Sequence, residues 1–91
     1  MLNLKQIQSD VVAPLTDVLS KFSRFDSQDI TKDLLIRDDL GIDSVDMLDL
    51  IFVLEKKFNI EINDKEALGV KTVRDAQHII EKKILKSQVS R

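Results

Sequence analysis

Apolar residues in LNLKQIQSDVVAPLTDVLSKF fall at Leu4, Ile7, Val11, Leu15, Val18, Leu19 and Phe22. That is the three- and four-residue spacing of a helix with one buried face. Asn3 stands where a helix cap is needed. Pro14 offers no N–H to the carbonyl of Asp10, so the pattern predicts either a kink or a helix that begins near Asp10. The stretch that follows, SRFDSQDITKD and then LLIRDDLGIDS, has no sustained period. Its apolar residues Leu34, Leu35, Ile36 and Leu40 are expected to pin a long loop to the core, since an exposed loop has no need of them.

A second helix is predicted over Ser44–Phe58, with Asp43 as its cap and Asp46 and Asp49 near its positive end. Met47, Leu50, Ile51, Leu54 and Phe58 form the expected core stripe. Val45, Asp49, Phe52 and Lys56 lie opposite, which leaves two apolar side chains on a face that ought to be wet. In NIEINDKEALGV, Asn63 or Asp64 caps a short helical turn that Gly69 ends. Ile60 and Ile62 alternate like a strand but have no partner strand, and are read as loop anchors. The last helix begins at Thr72, capped in the T-x-x-D manner with Asp75, and turns Val73, Ala76, Ile79, Ile80 and Ile84 inward. The pattern therefore predicts an all-α fold: a small four-helix bundle of three longer helices and one short one, with a long loop between the first two. Residues 1–91 are expected to form one domain, its core over about 4–85 and its tail, 86–91, flexible.

Composition narrows the function classes. Ninety-one residues make one small domain. The absence of cysteine rules out disulfides, thiolate metal sites and a cysteine nucleophile. The longest apolar run, LIFVL at 50–54, is far too short to cross a bilayer. MLNLKQIQSD lacks the basic region, apolar stretch and cleavage site of a signal peptide, so a cytoplasmic protein without stable membrane insertion is expected. The net charge of −2 hides an asymmetry: residues 26–66 hold twelve acids and five bases, and residues 71–91 two acids and six bases. An acidic middle repels phosphates and attracts basic partners, and no aromatics are interleaved with the basic residues, so nucleic acid is not an expected partner.

The chemistry concentrates at Ser44, in LGIDSVDMLDL. As a nucleophile it would need a base, and the only histidine is His78, inside the last helix. There is no H-E-x-x-H, no P-loop and no calcium-loop pattern, and no metal site is expected. As a mere helix start it would duplicate Asp43, which already fills the cap. As a handle it is well placed, because the first N–H groups and the dipole of a helix favour a phosphate there.

The stretch DDLGIDSVDMLDLIFVLEKKFNIEI resembles the acyl carrier protein family, whose hallmark is an L-G-x-D-S-L element followed by an acidic amphipathic helix and an F-G-I-x-I-like ending. The resemblance is close over roughly residues 35–62. It implies that Ser44 carries 4′-phosphopantetheine, donated from coenzyme A by a phosphopantetheinyl transferase, and that the arm's thiol holds acyl intermediates as thioesters. It further implies that Asp43 contributes to recognition by the transferase, that Asp46 and Asp49 are acidic recognition positions, and that Leu48 and Phe52 touch partner enzymes. Val45 stands where the family usually has leucine. The stripe from Met47 to Phe58 would line the region that shelters an acyl chain. The protein itself would be a non-catalytic monomer serving acyl-transferring or chain-elongating enzymes with basic docking patches, in fatty acid, lipid or polyketide-type biosynthesis.

Lys56 and Lys57 interrupt the acidic run, Asn59 replaces the usual glycine and Asn63 the common proline. These departures point to a specialised carrier. Two other readings stay open: a peptidyl or aminoacyl carrier of the same fold, against which the Asp43, Asp46, Asp49 cluster speaks, and an unmodified helical interaction module using Val45, Leu48 and Phe52. A Ser44–His78 hydrolase is a more distant alternative.

Overall fold

The computed structural model describes residues 3–89. Helix α1 spans Leu4–Phe22, α2 Ser44–Phe58, α3 Asp64–Leu68 and α4 Val73–Val89, with a 3-10 turn at Ser27–Asp29. The described residues contain no strand, and the all-α four-helix architecture is the one the periodicity predicts.

Helix α1 starts where its cap dictates: the Asn3 side-chain oxygen accepts the Gln6 N–H at 2.8 Å. The helix runs through Pro14 and does not begin at Asp10. Proline removes one hydrogen bond, but Ile7, Val11, Leu15, Val18 and Leu19 are all buried, and packing of that continuous face outweighs the local penalty. Leu4, expected on the same face, is 54% exposed because it lies at the end of the stripe, in the first turn.

The long connection is ordered by pairing. Leu35 and Thr72 form an isolated antiparallel bridge. Around it, the Ile36 N–H donates to the Lys71 carbonyl (2.9 Å) and the Val73 N–H to the Leu34 carbonyl (3.0 Å). Extended backbone alternates its side chains, so Leu34 and Ile36 turn toward the core while Leu35 turns outward. Leu35 is thus no pin for the loop, contrary to expectation; Ile30, Ile36, Leu40 and Ile42 are buried and do that work. Residues 35–42 then close on themselves: Asp39 Oδ2 accepts the Leu35 N–H at 2.7 Å, and the Ile42 N–H reaches the Ile36 carbonyl at 3.1 Å. Gly41, at φ +74°, permits the reversal that delivers the chain to α2.

In α2 only Leu50 and Leu54 are fully buried. Met47, Ile51 and Phe58 of the expected stripe are half-buried along its margins. The helix ends at Asn59, left-handed at φ 55°, whose N–H donates to the Glu55 carbonyl. Asn63, not Asp64, caps α3 in a reciprocal box with Glu66. Gly69 ends α3 as expected but in right-handed conformation. Thr72 and Asp75 form the predicted reciprocal cap of α4: the Asp75 N–H donates to Thr72 Oγ1 at 3.0 Å and the Thr72 N–H to Asp75 Oδ2 at 3.1 Å.

Val73, Ala76 and Ile80 of α4 are buried, and Ile79 and Ile84 half-buried. Two polar residues join them: Gln77 Nε2 donates to Glu81 Oε2 at 2.7 Å, one turn apart and both buried. Helix α4 continues to Val89; residues 90 and 91 of the expected tail lie outside the described residues.

Candidate functional site: the start of α2

Every device at the head of α2 leaves the Ser44 side chain outside. Asp43 supplies the cap, its Oδ1 accepting the Asp46 N–H at 2.8 Å, while its carbonyl accepts the Met47 N–H at 2.9 Å. Ile42 is buried just before the cap and Met47 stands at the fourth helical position, the placement of a hydrophobic staple that fixes how the chain enters the helix. Ser44 is therefore the first helical residue and exposed. The N–H groups of Ser44 and Val45 have no acceptor one turn back within the helix. A hydroxyl beside two such donors, at the positive end of a four-turn helix, suits a phosphodiester.

The residues expected to face partners flank it at Asp43 and Val45 and continue along α2 to Phe52. Val45, Leu48 and Phe52 are 69%, 71% and 59% exposed, and Asp43 and Asp49 are exposed as well, with Asp46 half-exposed. Asp43 has one oxygen engaged in the cap, so its first duty is to hold the helix start. Leu68 of α3 was missed by the sequence reading although it is 81% exposed. Its only signal was an apolar residue at the last position of a short helix.

An apolar cleft of about 310 Å³ opens beside the site between the 35–42 segment, the start of α2 and α3. Leu35, Ile36, Ile42, Met47, Leu68 and Val70 line it, with Arg37, Asp38 and Lys71 among the polar residues of its wall. Of the stripe expected to shelter an acyl chain, only Met47 lines this cleft. Leu50 and Leu54 are instead part of the solid core. The difference arises because the mouth is built by the loop and α3, whose side chains show no helical period to read.

His78 is exposed and lines a separate cleft between α3 and α4 with Lys65, Glu66, Asp75 and Lys82; Ser44 is not part of it. Two carboxyls near this cleft are held below their usual range. Glu66 is lowered first by its hydrogen bond from Lys83, 2.9 Å away, and then by the Asn63 N–H. Asp75 is lowered by the N–H groups of Thr72 and Lys71 that it accepts as the α4 cap. Among the described residues, no group of three or more metal-binding side chains converges, and no helix is long and apolar enough to cross a membrane.

Comparison with known proteins identifies the family. The family profile described as a phosphopantetheine attachment site matches residues 13–77. The chain is 36% identical over 76 residues to an acyl carrier protein of Prochlorococcus marinus, covering 84% of this chain and 95% of that one. It is 48% identical over 59 residues to an acyl carrier protein of Phytoplasma australiense, covering 65% and 78%. Among solved structures, the acyl carrier protein of Thermotoga maritima superposes with a TM-score of 0.75 at 25% identity, over 89% of this chain and 94% of that one. That of Enterococcus faecalis gives 0.74 at 28%, over 84% and 96%. With a family profile matching residues 13–77 and a relative aligned over 84% of this chain and 95% of its own, the chain belongs to the acyl carrier protein family, whose domain is a phosphopantetheine attachment site.

Proposed function

We propose that Ser44 is the attachment residue and that the protein presents acyl intermediates to partner enzymes without catalysing their conversion. The observation that carries this reading is the exposed Ser44 hydroxyl at the first position of α2, with the capping role already taken by Asp43. When bound, 4′-phosphopantetheine supplies a flexible arm ending in a thiol that holds an acyl group as a thioester. The chain's own residues do the rest. The helix start offers its phosphate two N–H groups. The cleft beside Met47 and Leu68 offers an acyl chain an apolar refuge from water. Tethering the cargo to the carrier raises its concentration at whichever enzyme the carrier visits.

Asp43, Asp46 and Asp49 favour a fast, salt-sensitive encounter with basic docking patches, first that of a phosphopantetheinyl transferase and then those of acyl-transferring or chain-elongating enzymes. Val45, Leu48, Phe52 and Leu68 add the apolar contacts. Fatty acid, lipid or polyketide-type assembly is the pathway class that would use a carrier of acyl groups, the kind of carrier the relatives' names print. A peptidyl or aminoacyl cargo fits the acidic cluster less well.

The test is the intact mass after incubation with coenzyme A, Mg²⁺ and a promiscuous phosphopantetheinyl transferase, beside a Ser44→Ala control. A gain of one phosphopantetheine that the control lacks is the expected result. Equal masses for parent and control across several transferases would instead favour an unmodified interaction module.

A further inference from the structure

The exposed face of α2 changes sign along its length. Val45, Asp49, Phe52 and Lys56 recur at helical spacing on one line, with Leu48 beside it, while Asp46 and Lys57 share the adjacent flank. The face thus mixes acids and apolar side chains over its first two turns, carries Phe52 next and turns basic at its end. At 1.5 Å per residue the cations lie roughly 10 to 16 Å beyond the acids along the axis. Cations suit a helix C-terminus whatever else they do. What joins Lys56 to the docking face is its position: its Nζ lies 5.3 Å from the centroid of the Phe52 ring, itself 59% exposed. The ring holds the ammonium beside the apolar patch. Among the described residues, neither Lys56 nor Lys57 has a salt-bridge partner.

We infer that the docking partner of this protein bears a two-signed patch: cations opposite Asp46 and Asp49, an apolar recess for Leu48 and Phe52, and a carboxylate opposite Lys56. Lys56 is then a specificity-determining residue. It rewards a partner with that carboxylate and repels one whose patch is basic throughout. This rests on the carrier reading for the kind of partner but not for the charge pattern, which is a property of α2 itself.

The test measures binding of the parent and of Lys56→Glu to a generic ketoacyl synthase with a wholly basic patch, and to a panel of that synthase's single Lys→Glu and Arg→Glu patch variants. Lys56 is exposed, and thermal melts of parent and variant are the check that the fold is unchanged. Lys56→Glu is expected to bind the unaltered synthase about threefold to tenfold more tightly, with the gain shrinking as salt is raised. The parent is expected to gain on at least one reversed-charge synthase on which Lys56→Glu loses. Affinities of parent and variant within about twofold across the whole panel would overturn the inference. So would a parent that sediments as a dimer dissolved by Lys56→Glu, because a face acidic at one end and basic at the other also complements an antiparallel copy of itself. Failure of Ser44 to accept the arm, with the charge swap intact, would remove the carrier reading and leave the docking inference standing.

Discussion

The Glu55 carboxylate accepts the backbone N–H of Ile62 at 2.8 Å, across the turn that joins α2 to α3. The Ile60 N–H meanwhile donates to the Glu55 carbonyl at 3.1 Å. One residue of α2 thus fixes both ends of the 59–62 connection, and through it the position of α3 over the cleft. Glu55 belongs by sequence to the acidic stretch but by structure to the scaffold. Glu55→Ala leaves a half-buried N–H without its acceptor and is expected to lower stability by about 1–3 kcal/mol. Glu55→Gln keeps an oxygen in place and is expected to cost less than about 1 kcal/mol. Urea unfolding of both variants decides it: an unchanged midpoint for Glu55→Ala means that the bond contributes nothing net.

Asn59 is the one non-glycine residue among those described with positive φ. Asparagine tolerates that region better than other side chains but not as well as glycine. Asn59→Gly is expected to raise stability by a few tenths to about 1 kcal/mol, and Asn59→Val to lower it by about 1–2 kcal/mol. A thermal melt in which glycine destabilises would show that the asparagine side chain holds the turn by some other contact.

Much of this architecture was legible because the relevant residues act locally. Asn3, Asp43, Asn63 and Thr72 each cap a helix with an atom only a few residues from its partner, and the alternation of buried positions in α1 survives even Pro14. The cleft was not legible for the opposite reason. Its wall joins Leu35 and Ile36 to Leu68 and Val70, residues brought together by the pairing of Leu35 with Thr72. No periodicity encodes such a pairing. The same bridge turned Leu35 outward. Gln77, four residues after Val73 and three before Ile80, has inward spacing, and only its polar side chain, like that of Glu81, hid the pair from a reading by residue type. The exposed hydroxyl of Ser44 was legible because Asp43, not Ser44, caps the helix start.

Gly41 has φ +74°, and a Cβ built there would meet nothing within 4 Å. The cost of Gly41→Ala is therefore conformational rather than steric crowding by neighbours, about 1–2 kcal/mol. Because the strain falls immediately before the Ile42–Asp43–Ser44 approach, modification of Ser44 by the transferase is expected to slow more than stability falls. Equal transferase rates for parent and Gly41→Ala would show that the approach is held by Asp43 and Ile42 alone.

Acid should weaken the starts of α3 and α4. Glu66 and Asp75 have lowered pKa values in the folded chain. The unfolded chain therefore takes up protons first as pH falls, and the stability these carboxylates contribute is present above the ordinary carboxylate range and lost through and below it. Stability is expected to be flat between about pH 7 and 5.5 and to fall below about pH 4.5. Asp75→Asn retains a side chain that can cap but does not titrate, so its profile should be shallower in acid. A parallel profile for parent and variant would place the acid sensitivity elsewhere.

The exposed apolar residues divide stability from docking. Leu48 and Leu68 are 71% and 81% exposed, so neither contributes much burial to the folded state. Leu48→Ser and Leu68→Ser are each expected to change unfolding free energy by no more than about 0.5 kcal/mol, the usual range for surface positions. If these side chains enter a partner's recess, each loss should weaken docking by about 1 kcal/mol or more, as truncation of an interface anchor does. Leu68 matters most here, because it lines the cleft as well as standing on the surface. Titration calorimetry of both variants against the same synthase, beside urea unfolding, separates the two effects. Weaker docking at unchanged stability supports the assignment of this face, and unchanged docking by both variants would confine recognition to the charges of α2.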